Sequence, residues 1–245
     1  MKQGEPHGQS VAIIGAGDYI GAAIARKFAA EGYLVVAGRR KGEKLAPLVE
    51  EIEAAGGRIS ARSLDARDPD AVTAFLKAAD DLAPLALTVF NVGANVNYPI
   101  LDTTDRVFRK VWEMACFAGF VSGRESARLM LARGQGKIFF TGATASRRGG
   151  KGYAAFASAK FGLKAVAEAM ARELWPQRIH VAHLTIDAGV DTEWVRQIIK
   201  DRGGPEDPQG LMPPEAIAEA YWELFRQPET AWTFEKEIRP CGEPW

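Results

Sequence analysis

VAIIGAGDYIG, residues 11–21, sets the architecture of the chain. Its first four residues are apolar, glycines follow, and apolar residues then recur at helical spacing from Ala22 to Phe28. This pattern predicts a strand, a tight glycine turn and a helix. Such a turn lets the backbone approach a pyrophosphate, because free N–H groups and the positive end of the helix dipole point towards it. A second apolar run, Tyr33 to Ala37, completes a β-α-β unit.

Length and composition favour one α/β domain. The chain has 245 residues, 47% of them hydrophobic, which is enough for one large core. Its 31 basic and 31 acidic side chains balance, which argues against nucleic acid or a membrane surface as a partner. Two cysteines and three histidines have neither disulfide nor metal-ligand spacing, so we expect no metal and a reducing environment.

The polar N-terminus and the absence of long apolar runs favour a cytoplasmic protein. Residues 1–10 lack the apolar core of a signal peptide, and no apolar run approaches the roughly 20 residues of a membrane span. We therefore expect a disordered N-terminus over residues 1–10 and a single domain over residues 11–245.

Apolar strands and amphipathic helices alternate along the rest of the chain. We expect a buried strand at 85–90, a long helix within 102–133 and a closing strand at 232–238. Continuously apolar strands predict a parallel sheet covered by helices on both faces. Ligands of such sheets bind at the carboxyl ends of the strands. The glycine- and proline-rich chain at about 192–214 reads as a substrate flap.

Several sites in a fixed order resemble those of the classical short-chain dehydrogenase/reductase family. They are the glycine turn, Asp65 after the third strand, Asn91 after the fourth, the segment Ser158-Ala159-Lys160, and Thr192 after the sixth. The resemblance covers the chain from about Val11 to Pro240. It implies a single-domain, doubly wound parallel sheet (a Rossmann fold) of about seven strands, with helices on both faces. It also implies a nicotinamide dinucleotide cofactor, a small-molecule substrate, and a homodimer or homotetramer formed through the long fourth and fifth helices.

The catalytic positions depart from this family. Its Tyr-x-x-x-Lys pair becomes Phe156 and Lys160, and phenylalanine cannot donate a proton. Ala143 stands at the family's serine position and Ala115 at its helix-four asparagine position. Only Lys160 remains of four catalytic groups, with the task of holding the nicotinamide ribose. In this the chain resembles a divergent subgroup that lacks the catalytic tyrosine.

Other polar residues are candidates for the missing proton donor. Tyr153 precedes Phe156 by three residues and would share its helix face, although it would equally well pack as an aromatic with its hydroxyl in water. Thr144 and Ser146 offer hydroxyl groups, unless these bond to local backbone. Asp187 would hold a basic substrate nitrogen, act as an acid with a raised pKa, or turn its own loop.

The resemblance also assigns cofactor-binding positions. They are Gly15, Gly17, Tyr19, Ile20, Gly21, Arg39, Arg40, Asp65, Ala66, Asn91, Gly93, Lys160, Val190 and Thr192. Tyr19 replaces the family's second glycine, and Ile20 stands where the strict G-x-G-x-x-G fingerprint requires glycine. Asp65 and Ala66 would border the adenine amine, and Asn91 and Gly93 would flank the ribose.

Charged residues after the second strand bear on the choice of cofactor. Arg39, Arg40 and Lys41 form a cationic cluster suited to a 2′-phosphate, which favours NADP(H). Asp18 in the glycine turn opposes this preference, so NAD(H) stays open.

Two functions of different classes follow from these residues. The first is an oxidoreductase that passes hydride to or from a small apolar carbonyl, alcohol or imine, with a non-standard proton donor. The second is a catalytically impaired dinucleotide-binding sensor or assembly protein, suggested by the joint loss of serine, tyrosine and asparagine.

Overall fold

The computed structural model describes residues 8–201, 203–205 and 210–242. Its strands are β1 Ser10–Ile14, β2 Leu34–Arg39, β3 Arg58–Ser63, β4 Leu85–Phe90, β5 Gly136–Ala143, β6 Ile179–Ile186 and β7 Glu235–Ile238. Its α-helices are α1 Ile20–Ala30, α2 Ala46–Ala54, α3 Pro69–Leu82, α4 Asp105–Trp112, α5 Ala118–Leu131, α6 Ala154–Leu174, α7 Glu193–Asp201 and α8 Pro214–Phe225.

The strands form one parallel sheet in the order β3-β2-β1-β4-β5-β6-β7. The chain moves outward from β1 to β3, returns to the other side of β1 at β4, and then proceeds to β7. The strand order therefore reverses between β1 and β4, which is where ligands bind in doubly wound sheets. The predicted Rossmann fold of about seven strands is confirmed.

Helices cover both faces of the sheet. Along β1, Val11 and Ile13 point into one apolar cluster, while Ala12 and Ile14 point into the other. Side chains of α1, α2 and α8 fill the first cluster, and those of α3, α5 and α6 fill the second. Burial on both faces explains why the central strands are apolar throughout rather than alternating.

The turn between β1 and α1 brings two main-chain segments unusually close. Gly15 has φ 95°, and a Cβ there would lie 2.8 Å from the carbonyl oxygen of Asn91. The N–H groups of Gly15 and Ala16 both donate to the carbonyl oxygen of Gly38, at 2.9 Å each. No side chain in the described part of the protein caps the first turn of α1, which leaves main-chain N–H groups there for a ligand.

The predicted disorder of residues 1–10 is wrong at Ser10, which begins β1 and is fully buried. Its N–H donates to the carbonyl of Pro84 at 3.0 Å, and its hydroxyl donates to the carbonyl of Ala83 at 2.9 Å. A polar residue is therefore accommodated in the sheet because both of its donors are bonded. Residues 1–7 lie outside the described part of the chain.

Two predicted elements are interrupted or shortened. The helix expected within 102–133 is divided by a π-helical turn, Glu113–Phe117, between α4 and α5. Ala115, at the family's asparagine position, lies fully buried in that turn. The closing strand expected at 232–238 begins at Glu235, because Trp232 instead stacks on the ring of His180 with centroids 4.8 Å apart.

The region expected to form a flap contains α7, whose described side chains are all at least partly exposed. A single bridge between Val190 and Met212 joins the two ends of this region. Residues 202 and 206–209, which belong to the same prediction, lie outside the described residues. The role of a flap therefore stays a prediction.

Glycine at position 21 should be required for the fold, whereas glycine at position 17 should not. A Cβ at Gly21 would lie 2.6 Å from both the carbonyl oxygen of Gly15 and the Cα of Ala16, and the backbone there cannot yield cheaply. We expect Gly21→Ala to lower the free energy of unfolding by about 1–3 kcal/mol. Gly17→Ala is the matched control, since its Cβ would meet nothing within 4 Å. Urea unfolding without cofactor would measure both, and equal losses would contradict this account.

Candidate functional site

A cleft of about 720 Å³ opens at the carboxyl ends of β1 to β4, where the strand order reverses. Eight of the predicted cofactor residues line it, namely Gly15, Gly17, Arg39, Arg40, Asp65, Ala66, Asn91 and Gly93. Its other lining residues are Ile14, Lys41, Lys44, Leu64, Arg67, Val92 and Met114. The structure therefore brings the residues predicted at four separate strand ends into one site.

The glycine turn forms one wall of the cleft. Open space surrounds the position of a Cβ at Gly17, so a bulky ligand can approach the main chain there. Tyr19 precedes α1 and is 38% exposed, and Ile20 and Gly21 are the first residues of that helix. The turn thus fits a pyrophosphate even with tyrosine in place of the family's second glycine, because Gly17 keeps the approach open.

Cations occupy the opposite wall. Arg39 donates to the carboxylate of Asp18 at 2.6 Å, so the one acidic group of the glycine turn is already paired. Among the described residues, Arg40, Lys41 and Lys44 form no ion pair. They are exposed around the cleft, which makes its rim positively charged.

Asp65 is held by its neighbour Arg67. The guanidinium of Arg67 donates to both carboxylate oxygens, at 2.9 and 2.5 Å, and its N–H donates at 3.1 Å. These hydrogen bonds, with the nearby charge of Arg40, lower the pKa of Asp65 to about 2. Asp65 is therefore a carboxylate whose two oxygens are already engaged, and an adenine amine would share them with Arg67.

Sequence reasoning missed Arg67 and Lys44 as residues of the cleft. A signal for Arg67 was present, because a basic residue two positions after an aspartate can bond back to it across a turn. Lys44 lies in the one-turn 3-10 helix Gly42–Leu45, and this helix places Lys44 beside the cleft. Nothing in the local pattern marks Lys44, since exposed lysines are common.

Lys160 is buried in α6 and does not itself line the cleft, although it contacts the main chain of Val92, which does. Its ammonium donates to the carbonyl oxygen of Thr141 at 2.9 Å and to that of Val92 at 3.4 Å. Burial lowers the pKa of Lys160 to about 8. Its Nζ is 5.9 Å from the ring centre of Phe156, so the two residues are adjacent as the spacing predicts. No hydroxyl stands at that point.

The candidate donor Tyr153 is the residue immediately before α6, with φ −105° and ψ 21°. Its carbonyl oxygen accepts the N–H of Ala157 at 2.7 Å, so Tyr153 lies at the start of the helix that carries Phe156. Its ring packs beside the apolar cluster that contains Phe156 and Ala155. Tyr153 remains near the site, but as a residue of the loop end.

The Thr144 hydroxyl is bonded to another side chain of the protein. The hydroxyl donates to the Asp187 carboxylate at 2.6 Å, so its single proton is committed and only its lone pairs remain for a ligand. The other loop hydroxyl, Ser146, accepts the N–H of Ala143 at 3.1 Å. Ser146 therefore bonds to local backbone, as an acceptor whose own proton takes no part in this bond, whereas Thr144 bonds to a distant side chain rather than to local backbone.

Asp187 connects the ends of three strands. Its side chain is fully buried after β6, and it accepts hydrogen bonds from Thr144 after β5 and from Arg239 after β7. Arg148, in the loop after β5, adds two longer contacts at 3.2 and 3.3 Å. Burial alone would raise the pKa of Asp187, but these hydrogen bonds and charges outweigh it and hold the pKa below its usual value. The idea of an acid with a raised pKa is therefore wrong.

Val190 and Thr192 do not line the cleft of the first four strands. Val190 forms the bridge to Met212, and the Thr192 hydroxyl accepts the N–H of Val195 at 3.1 Å, which caps α7. Both lie beyond β6, on the same side of the sheet reversal as Lys160. Their predicted contacts with a cofactor remain predictions.

Two further properties concern only the described ranges. Within them, no three histidine, cysteine, aspartate or glutamate side chains are grouped so as to hold a metal ion. No helix in that part of the chain has the length and apolar character needed to cross a membrane.

The buried carboxylate of Asp187 should stabilise the fold in a pH-dependent way. Asp187→Asn removes the charge beside Arg239 and should lower the free energy of unfolding at pH 7 by about 3 kcal/mol. Because the folded pKa of Asp187 is lowered, its contribution is complete above the unfolded pKa of about 4 and is lost as the pH falls through the folded value. The difference between wild type and variant should therefore shrink in acid.

Urea unfolding of both proteins at several pH values would measure this effect. Asp81→Asn is the matched control, because the exposed pair of Asp81 with Lys77 should contribute at most about 1 kcal/mol. An Asp187→Asn variant as stable as this control at neutral pH would show that the cluster does not hold the strand ends together.

Comparisons with known proteins agree with this geometry. The sequence pattern of the family described as short chain dehydrogenase matches residues 9–203. The chain is 71% identical to a short-chain dehydrogenase from Rhodopseudomonas palustris of known crystal structure, with a TM-score of 0.84 over 95% of this chain and 98% of that one. It is also similar in fold to a metagenomic short-chain oxidoreductase solved in complex with NADP, at 24% identity and TM-score 0.82, over 98% and 100% of the two chains.

A curated relative is much longer than this chain. Glycine betaine reductase ATRR of Emericella nidulans is 28% identical over all of this chain, which spans 20% of that protein. The similarity thus concerns one part of ATRR. Together, the sheet order, the glycine turn and the matching pattern show that the chain belongs to the short-chain dehydrogenase/reductase family, whose members bind nicotinamide dinucleotides.

Proposed function

We propose that this chain is an NADP(H)-dependent oxidoreductase that transfers hydride to or from a small apolar carbonyl, alcohol or imine. The observation that carries the proposal is the cleft at the sheet reversal, with Gly17 on one wall and unpaired cations on the other. A dinucleotide needs both features, because its pyrophosphate seeks main-chain N–H groups and its charge seeks cations. Membership of an oxidoreductase family supports the same reaction class.

The charge of the rim favours NADP(H) over NAD(H). Arg40, Lys41 and Lys44 supply three positive charges, while Asp18 and Asp65 are each already paired with an arginine. A guanidinium can bind a phosphate with two parallel hydrogen bonds, whereas a ribose hydroxyl gains little from a cation. The NADP in the metagenomic relative accords with this preference.

Arg40 should distinguish the two cofactors. We expect the protein to bind NADPH more tightly than NADH, and Arg40→Ala to weaken NADPH binding about tenfold while NADH binding changes little, because a charge-assisted hydrogen bond to phosphate is lost. Titration followed by cofactor fluorescence measures both dissociation constants. Arg226→Ala, an exposed arginine at the end of α8, is the matched control. Equal weakening of both cofactors by Arg40→Ala would contradict the assignment of this residue to the 2′-phosphate.

Lys160 is suited to hold the nicotinamide ribose. An ammonium group has three N–H donors, and two of those of Lys160 reach the carbonyl oxygens of Thr141 and Val92. The third is left for a ribose hydroxyl. When bound, the dinucleotide would supply the hydride, and the protein's own residues would have to bind the substrate and manage the accompanying proton.

The proton donor is where the chain departs from its family. Hydride addition to a carbonyl produces an alkoxide, and a positioned acid typically accelerates this step by about 10²–10⁴. Phe156 and Ala143 offer no hydroxyl, and the Thr144 proton is bonded to Asp187. We assign the chain to a divergent subgroup without the catalytic tyrosine, with Tyr153 and Ser146 as candidate donors and activated substrates such as iminium ions favoured.

Restoring the family's hydroxyl groups should create ordinary carbonyl reductase activity. In Phe156→Tyr the new phenol would lie beside Lys160, and adding Ala143→Ser would supply a second donor to the developing alkoxide. We expect the double variant to reduce simple ketones about 10²–10⁴ times faster than the wild type. The readout is single-turnover loss of NADPH absorbance across a panel of ketones and imines.

Phe161→Tyr on the same helix is the matched control, because Phe161 is exposed away from Phe156. A wild-type protein that reduces simple ketones as fast as the restored variant would show that another donor already performs this task. Tyr153→Phe in the wild-type background then identifies whether Tyr153 is that donor.

A dinucleotide-binding sensor or assembly protein is the second candidate function. It is favoured by the apolar setting of the former catalytic positions, since Phe156 is 8% exposed and Ala115 is fully buried. Tight NADPH binding without oxidation by any substrate, in the experiment above, would favour this function.

We also propose a homodimer or homotetramer in the cytoplasm. Large apolar side chains on α4 and α5 are exposed, which supports helix packing between copies; they are Phe108, Trp112 and Phe120. Both cysteines are free thiols, which accords with a reducing compartment.

A further inference from the structure

Tyr221 is a buried tyrosine that lies far along the sequence from the residues lining the cleft. It lies in α8 and is fully buried, with its ring nearly parallel to that of Phe139 at a centroid distance of 6.3 Å. Its hydroxyl is 2.6 Å from the hydroxyl oxygen of Thr141 in β5. A buried hydroxyl costs free energy unless it is bonded, so this contact accounts for tyrosine rather than phenylalanine at this position.

The direction of the hydrogen bonds can be assigned. The Thr141 hydroxyl donates to Asn91 Oδ1 at 3.0 Å, and a hydroxyl has one proton, so Tyr221 must donate to Thr141. The side-chain amide of Asn91 in turn donates to the carbonyl oxygen of Gly15 at 3.0 Å. Burial raises the pKa of Tyr221 above its usual value, so its proton is retained. These bonds form a continuous hydrogen-bond network from Tyr221 through Thr141 and Asn91 to Gly15.

Thr141 also contacts Lys160. Its carbonyl oxygen accepts the hydrogen bond from Lys160 at 2.9 Å. One residue of β5 therefore orients Asn91 through its side chain and Lys160 through its main chain. A shift of Thr141 would move both at once, whereas the hydroxyl of Tyr221 holds it from the opposite face of the sheet.

We propose that Tyr221 is a positioning residue, which fixes the glycine turn for the dinucleotide through Thr141 and Asn91. Tyr221 itself does not line the cleft. The inference rests on the proposed dinucleotide-binding function and adds to it a support from α8. Three successive hydrogen bonds inside the protein link Tyr221 to Gly15. This hydrogen-bond network therefore has little freedom to reorganise, and it holds the Gly15 carbonyl in one orientation.

The test compares Tyr221→Phe with Tyr33→Phe. Tyr33 is the matched control, since it is also buried among aromatic rings near α8, and its hydroxyl forms no hydrogen bond to another described residue. The first readout is the dissociation constant for NADPH, and the second is hydrogen exchange of the amides of residues 14–21 without any dinucleotide. Tyr221→Phe should weaken binding and accelerate this exchange, each about three- to tenfold, as expected for the loss of one hydrogen bond. Tyr33→Phe should change neither.

Thr141 variants show whether Tyr221 acts through this residue. Thr141→Val should weaken binding at least as much as Tyr221→Phe, and Thr141→Ser should restore most of that loss because it retains the hydroxyl. In the double variant Tyr221→Phe/Thr141→Val, the effects should not add, since the second change removes the group through which the first acts. Losses of NADPH binding that add in the double variant would overturn the proposed hydrogen-bond network.

The outcomes separate this inference from the proposed function. A wild type that binds no pyridine dinucleotide would refute the proposed function. The amide hydrogen exchange of residues 14–21 would still show whether Tyr221 positions the glycine turn through the hydrogen-bond network. A Tyr221→Phe variant that fails to fold, or that matches Tyr33→Phe in both readouts, would reduce the tyrosine to a structural support and overturn the inference.

Discussion

The close approach between the glycine turn and the end of β4 is the constraint on which the site depends. Gly15 adopts φ 95° and leaves no room for a side chain beside the Asn91 carbonyl. The carbonyl of Gly38 in β2 receives two N–H groups of the same turn. The turn is therefore held between β2 and β4, the two strands that flank β1. As a result, the first turn of α1 opens onto the cleft. In the proposed function, the cations and Lys160 can contact a dinucleotide only because this backbone geometry leaves a place for it.

Electrostatics divides the site into two parts. At the ends of β1 to β3, Asp18 and Asp65 are each paired with an arginine, which leaves an excess of positive charge on the rim of the cleft. On the β5 and β6 side, Lys160 is buried with a lowered pKa, and Asp187 is buried with its carboxylate fully engaged. Phe156 and Ala143, at the positions that the resemblance assigns to the family's tyrosine and serine, add no hydroxyl to this second part. Under the proposed function, cofactor binding and proton transfer would therefore depend on different residues.

The sequence was sufficient for the sheet and for most of the cleft, because apolar periodicity and glycine spacing are local signals. Asn91 and Asp65 were recognised since the ends of parallel strands meet at one edge. Other features depend on contacts between distant residues, which no local pattern encodes. The hydrogen bond from Thr144 to Asp187 spans 43 positions and that between Tyr221 and Thr141 spans 80. The lowered pKa of Asp187 therefore could not be foreseen, because it depends on partners that follow two other strands, β5 and β7.

A crystal structure of the protein grown with NADPH would test the central claim most directly. We predict that the pyrophosphate binds the main chain from Gly15 to Gly21, that the 2′-phosphate meets Arg40, and that the nicotinamide ribose contacts Lys160. The reactive carbon of the nicotinamide would then face Phe156 without a hydroxyl partner from that residue. A structure with an empty cleft at saturating NADPH, or with the dinucleotide bound elsewhere on the protein, would contradict the account.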